Sequence, residues 1–174
     1  MTYGLIILDG FGKASDPDKS AIDKANTPFI DSLFKTYPNT LINASGEAVG
    51  LPAGQMGNSE VGHLNIGSGR IVYQELLRIG NSIKDGSFNN VAEFRDIIEK
   101  TKSAGKTLHI FGLLSDGGVH SHISHIFALL DLAKSMGLKD VVVHCFMDGR
   151  DVSPTSGTGY INQLQEHMNK TGVG

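Results

Sequence analysis

Tryptophan is absent from these 174 residues and cysteine occurs once, at Cys145. A single thiol closes no intrachain disulfide, so the fold must rest on burial and hydrogen bonding, and a reducing cytoplasm is the expected setting. No apolar run approaches the roughly 20 residues of a membrane-spanning helix, and Met1-Thr2-Tyr3-Gly4 lacks the basic start of an export signal. Neither export nor a membrane anchor is expected. Lys and Arg number 15 against 18 Asp and Glu, a net charge of −3, and the basic residues form no stripe interleaved with aromatics. Nucleic acid is therefore excluded as a partner. Internal repeats and low-complexity segments are also lacking, while an apolar fraction of 40% with 19% charged residues is that of an ordinary folded domain.

Glycine is the one excess, at 22 residues. It concentrates between Gly46 and Gly69 and again at Gly112, Gly117, Gly118 and Gly149. Glycines gathered between regular elements allow positive φ or close approach of backbone to a ligand.

Tyr3 to Leu8 is a short continuous apolar run ending at Asp9-Gly10, the pattern of a strand buried on both faces. Asn26-Thr27-Pro28 opens a helix carrying Phe29, Ile30, Leu33, Phe34 and Tyr37, which Pro38-Asn39 ends. Thr40 to Ala44 reads as a second strand, and Ser45 to Gly69 as a long loop without clear periodicity, a length that in a compact domain marks a task. From Gln74 the pattern turns helical, over Gln74 to Ile83 and Val91 to Ser103. Strands are then expected at Thr107 to Leu114 and Val141 to Met147, with helices at His122 to Met136 and Tyr160 to Asn169. Such alternation implies an α/β architecture with parallel strands, whose ligands sit beyond the carboxyl ends of the strands.

The apolar runs at Tyr3, Thr107 and Val141 all end in acidic, glycine-bearing turns: Asp9-Gly10, Ser115-Asp116-Gly117-Gly118 and Asp148-Gly149-Arg150-Asp151. Asp9 offers a hard divalent cation a charged oxygen on a rigid support, or else simply caps its turn. Ser59, in Gly57-Asn58-Ser59-Glu60-Val61-Gly62-His63, is either a helix N-cap or a nucleophile beside helix N–H groups. An acyl-hydrolase elbow does not fit, because Val61 stands where the second glycine belongs. His120, His122 and His125 suggest metal ligation, yet no carboxylate at familiar spacing joins them, and His120 is better placed to touch substrate. Arg150 matches a carboxylate or phosphate bidentately unless Asp148 and Asp151 hold it in ion pairs, and Asp151 is then available to a substrate hydroxyl. Arg70 and Lys13 are weaker candidates of the same kind.

The stretches LIILDGFG from Leu5, GEAVGLPAGQMGNSEVGHLNIGSGRIVYQ from Gly46, LHIFGLLSDGGVHSH from Leu108 and FMDGRDVSP from Phe146 closely resemble the cofactor-independent phosphoglycerate mutases, of the alkaline phosphatase superfamily. The second stretch is long and specific to that family. The resemblance runs, with gaps, over essentially the whole chain.

It implies an alkaline phosphatase-like parallel sheet sandwiched by helices, interrupted by an inserted α/β phosphotransferase domain. Residues 1–73 would begin the metal-binding domain and 74–174 the inserted, substrate-binding one. Asp9 would be a metal ligand and Ser59 the metal-coordinated serine that becomes phosphorylated. His120, Arg150 and Asp151 would hold the phosphoglycerate. Two divalent ions, with Mn²⁺ expected, would serve the transfer of a phosphoryl group from 3-phosphoglycerate to Ser59 and back to the 2-hydroxyl, with no need for 2,3-bisphosphoglycerate. The remaining metal ligands and substrate arginines of that family lie beyond Gly174, so the 174-residue chain alone is expected to be an inactive, monomeric part of a longer cytoplasmic glycolytic isomerase. The rival expectations are another phosphatase or phosphomutase of the superfamily, and a non-catalytic fragment that binds phosphoglycerate.

Overall fold

The structure is a computed structural model that describes all 174 residues. Besides three short 3-10 turns, nine helices and strands follow along the chain: α1 (Ala21–Lys24), α2 (Pro28–Thr36), α3 (Ser59–Ser68), α4 (Glu75–Asp85), α5 (Ala92–Ser103), β1 (Leu108–Leu113), α6 (Ile123–Ser135), β2 (Val141–Phe146) and α7 (Gly157–Thr171).

β1 and β2 pair in parallel, from Leu108 opposite Val141 to Leu113 opposite Phe146. Parallel neighbours need a crossover, and α6 supplies it. One face of this sheet, with Ile110 and Val141, packs on α6 and α7. There Ile98, Leu114, Ile123, Leu130, Leu132 and Leu164 are among the other members of a cluster of 13 buried residues. Each aliphatic side chain withdrawn from water in this way contributes roughly 1.5–3 kcal/mol. The other face is open: Phe111 is 62% exposed and Phe146 54%. Phe111 stacks on His144 with ring centroids 4.2 Å apart, and His144 Nε2 lies 3.0 Å from His109 Nδ1. The strand through Cys145 is therefore covered on one face and open on the other. Cys145 itself is half-buried, and burial raises its thiol pKa.

The expected strands at Tyr3–Leu8 and Thr40–Ala44 do not form. Tyr3, Ile6, Leu41 and Ile42 are 87%, 85%, 72% and 82% exposed. Strand residues are stabilised by a neighbouring ladder, and residues 3–7 and 40–44 enter no main-chain hydrogen bond. The long loop expected over Ser45–Gly69 is not irregular throughout, since it contains a 3-10 turn at Gly46–Val49 and the ten residues of α3. Val49, Leu51 and Val61 form a separate buried cluster of three. Asn65 fastens α3 to this turn, its Nδ2 donating to Val49 O (2.9 Å) and its Oδ1 accepting from Val72 N–H (2.8 Å).

Candidate functional site

The acidic turns after β1 and β2 lie side by side, as a parallel pair dictates. Ser115 directly follows Leu114 and is 1% exposed. Its hydroxyl donates to Asp148 Oδ2 at 2.6 Å, and its carbonyl accepts from Ile123 N–H (2.8 Å) at the start of α6. Asp116 accepts a hydrogen bond from the Tyr160 hydroxyl of α7, and this bond holds the tyrosine pKa above its ordinary value.

Asp148 Oδ1 accepts three successive backbone N–H groups, those of Gly149 (2.7 Å), Arg150 (3.0 Å) and Asp151 (3.1 Å). Four donors to one carboxylate stabilise its ionised form, so its pKa falls well below the usual carboxylate range, with the Ser115 hydroxyl as the largest cause. The turns also touch directly. A Cβ built on Gly117 would meet Asp151 Cβ at 2.9 Å and Val152 Cγ1 at 3.3 Å. Glycine is required there by close approach.

This arrangement gathers three of the residues singled out from sequence. His120 is exposed on the loop between β1 and α6, and its Nε2 stands 3.7 Å from Asp151 Oδ2. Arg150 is exposed at the crest of the neighbouring turn. The chain's four ion pairs do not include Arg150, so neither Asp148 nor Asp151 neutralises its guanidinium. A carboxylate that faces an imidazole thus shares its turn with a guanidinium that enters no ion pair, a group whose planar fork can take up an anion.

The histidine trio does not assemble as a metal site. His122 caps α6, its Nδ1 accepting from Ser124 N–H (3.2 Å). The ring of His125 lies 6.2 Å from that of His122, and burial, then the neighbouring His122, lowers the His125 pKa. No group of three or more His, Cys, Asp or Glu side chains anywhere in the chain is placed to hold a metal ion.

Ser59 is the first residue of α3, and the capping role belongs to its neighbour, because Asn58 Oδ1 accepts from Val61 N–H at 3.0 Å. The serine hydroxyl is therefore exposed at a helix N-terminus without serving as the cap. Its Oγ lies 3.2 Å from His63 Nδ1, while the same nitrogen lies 2.8 Å from the Ser59 carbonyl oxygen. The shorter contact requires an Nδ1–H donor, and in that state the ring offers Ser59 no proton acceptor. His63 therefore clamps the first turn of α3. Asp9 lies exposed in a separate turn closed by Phe11 N–H on Leu8 O (3.0 Å), and no hydrogen bond joins it to Ser59.

From the sequence Asp148 stands out only as a flank of Arg150, and Ser115 and Asn65 carry no signal of a role. An Asp at a strand end followed by Gly is an available signal, because such side chains commonly accept the next backbone N–H groups.

Residues 79–174 match a family model described as the BPG-independent PGAM N-terminus. The chain is 56% identical over 170 residues to a 2,3-bisphosphoglycerate-independent phosphoglycerate mutase of Acetivibrio thermocellus, covering 98% of this chain and 33% of that protein. It is 55% identical to the protein of the same description from Picosynechococcus, covering 98% and 32%. A crystal structure of Leishmania mexicana phosphoglycerate mutase at low cobalt concentration superposes with a TM-score of 0.66 at 37% identity, over 86% of this chain and 28% of that one. The chain spans about a third of the length of the curated relatives it matches.

Proposed function

The chain belongs to the BPG-independent phosphoglycerate mutase family, and from that premise we propose that it carries the phosphoryl-accepting serine and part of the substrate site of an isomerase interconverting 3- and 2-phosphoglycerate. One observation carries the reading: Asn58 caps α3, which leaves the Ser59 hydroxyl exposed at the positive end of that helix. Backbone N–H groups there favour the negative charge of a phosphorylated product.

In the first displacement Ser59 Oγ forms a bond to phosphorus as the ester bond to the 3-oxygen breaks, and the serine proton ends on the freed 3-hydroxyl. In the second, the 2-hydroxyl of the reoriented glycerate forms the new phosphorus–oxygen bond, the bond to Ser59 breaks, and the proton returns to serine. Since serine stores the phosphoryl group, 2,3-bisphosphoglycerate has no part. His120, Arg150 and Asp151 would hold the glycerate meanwhile, the guanidinium on an anionic group and Asp151 on a hydroxyl.

Asp9 and Ser59 are hard oxygen donors of the kind divalent cations take, and in this reading they contribute to sites for two such ions, Mn²⁺ foremost. They do not make such a site by themselves. Two donors fall short of the three or more that protein metal centres ordinarily use, and no larger group gathers in the chain. In this reading further ligands join them.

The division at residue 73 is supported by the two separate buried clusters, of 3 and 13 residues. In this reading residues 1–73 belong to an alkaline phosphatase-like sheet sandwiched by helices, and 74–174 to the inserted transferase domain. Tyr3–Leu8 and Thr40–Ala44 would be strands of that larger sheet. No helix is long and apolar enough to cross a membrane; the lone cysteine accords with a reducing cytoplasm, and the reading makes the whole protein a monomeric enzyme of glycolysis.

The test is phosphopeptide mass spectrometry on the full-length protein after incubation with 3-phosphoglycerate and Mn²⁺. A phosphoryl group on the Ser59 peptide, with isomerisation abolished in Ser59→Ala, is expected. Full activity in Ser59→Ala would end the proposal.

A further inference from the structure

The turn that presents Arg150 and Asp151 is short, glycine-bearing and solvent-exposed, a composition that ordinarily gives a mobile loop. Here a single carboxylate organises it. Asp148 Oδ1 accepts the N–H groups of Gly149, Arg150 and Asp151, so all three peptide units point at one oxygen and the following side chains project from a fixed arc. The other oxygen is anchored in turn. Asp148 Oδ2 accepts from the hydroxyl of Ser115, which is almost fully buried, at the end of the neighbouring strand and bonded through its carbonyl to the first turn of α6. Gly117 seals the contact by leaving no room between the turns. The loop carrying His120 and the loop carrying Arg150 and Asp151 are thus referred to each other through one side-chain pair.

We infer that Asp148, braced by Ser115, is a positioning residue for substrate binding: it fixes Arg150 and Asp151 relative to His120 so that the ligand meets a formed site rather than ordering one. The inference rests on the proposed roles of those three residues. Asp148 does not touch substrate in this account. Its lone pairs are already taken by four donors, and it leaves the Arg150 charge free for an anion. Preorganisation of this kind lowers the entropy lost on binding, so its removal weakens binding of substrate more than it slows the bound complex.

The geometry separates the positioning role from an electrostatic one. In Asp148→Asn the amide oxygen still accepts the three backbone N–H groups, and the amide nitrogen faces a serine hydroxyl that can turn to accept it. In Asp148→Ala every one of these bonds is lost. The experiment measures KM and kcat for 3-phosphoglycerate in the full-length protein for Asp148→Ala, Asp148→Asn, Ser115→Ala, Arg150→Ala and the Asp148→Ala, Arg150→Ala double variant, with Tm recorded for each. Amide NMR shifts of residues 149–151 are read without ligand in the 174-residue chain.

Asp148→Ala is expected to raise KM by on the order of tenfold with a smaller change in kcat, and to move the three amide signals toward random-coil values. Ser115→Ala should fall between it and wild type, and Asp148→Asn should recover most of the loss. In the double variant Asp148→Ala should add little to Arg150→Ala. Unchanged amide shifts or unchanged KM in Asp148→Ala would overturn the inference, as would an Asn variant as impaired as Ala at equal Tm. A wild-type KM in Arg150→Ala would instead refute the substrate reading beneath it, and is told apart because the ligand-free amide shifts respond to Asp148 whatever Arg150 binds.

Discussion

Residues 1–73 and 74–174 share one kind of sequence and differ in outcome. Both contain apolar runs of strand length and amphipathic helices, yet the second region buries 13 residues in one cluster and the first only three. The difference is partnership. β1 finds β2 with α6 between them, and the sheet they make has a face for α6 and α7 to cover. Tyr3–Leu8 and Thr40–Ala44 find nothing to pair with, and α2 keeps Phe29, Leu33 and Phe34 at 71%, 36% and 56% exposure. Hydrophobic pattern states what a segment is fit to do, and only a complementary segment lets it do so.

The sharpest way to break this comparison is to cut the chain at residue 73. The 74–174 piece is expected to keep a cooperative thermal transition by circular dichroism, and the 1–73 piece to show none. A cooperative melt from 1–73 alone would dissolve the contrast. Single substitutions sharpen it. Leu130, 0% exposed in the larger cluster, should cost about 3 kcal/mol as Leu130→Ala in urea unfolding. Ile6→Ser, at a position 85% exposed, should change stability by less than about 0.5 kcal/mol.

The seam between the regions gives an effect between those two. Gly50 has φ 85°, and a Cβ there would lie 2.1 Å from Val72 O. Gly50→Ala should cost roughly 1 kcal/mol or more, seen as faster hydrogen exchange of the Gln74 amide, which donates to Gly50 O at 2.8 Å. Acid sensitivity is expected as well. The folded pKa of Asp148 lies below its ordinary value of 3.8, so its stabilising contribution is complete above that value and is lost as pH falls through the folded pKa. Asp148→Asn should lose less stability than wild type between pH 5 and pH 2 in urea titrations, and an identical loss would count against the cited hydrogen bonds.

The second region was legible almost element by element. The expected helices at Gln74–Ile83, Val91–Ser103 and His122–Met136 and both strands appear within about two residues, because each has a clear apolar period and a glycine or polar stop. The helix α3 was hidden by Gly62 and Gly67, whose flexibility lowers helix propensity and blurs periodicity. His120, Arg150 and Asp151 could be placed from the strand ends they follow. The Ser115–Asp148 bond could not, since it joins residues 33 apart and exists only once β1 and β2 are in register.

Backbone groups of residues 3–7 enter no main-chain hydrogen bond, and their greasy side chains stand in water. Two molecules meeting along such ribbons can zip together into an intermolecular ladder. Concentrating the 174-residue chain should therefore raise light scattering well before any helix melts, and a charged residue at Ile6 should suppress that clumping.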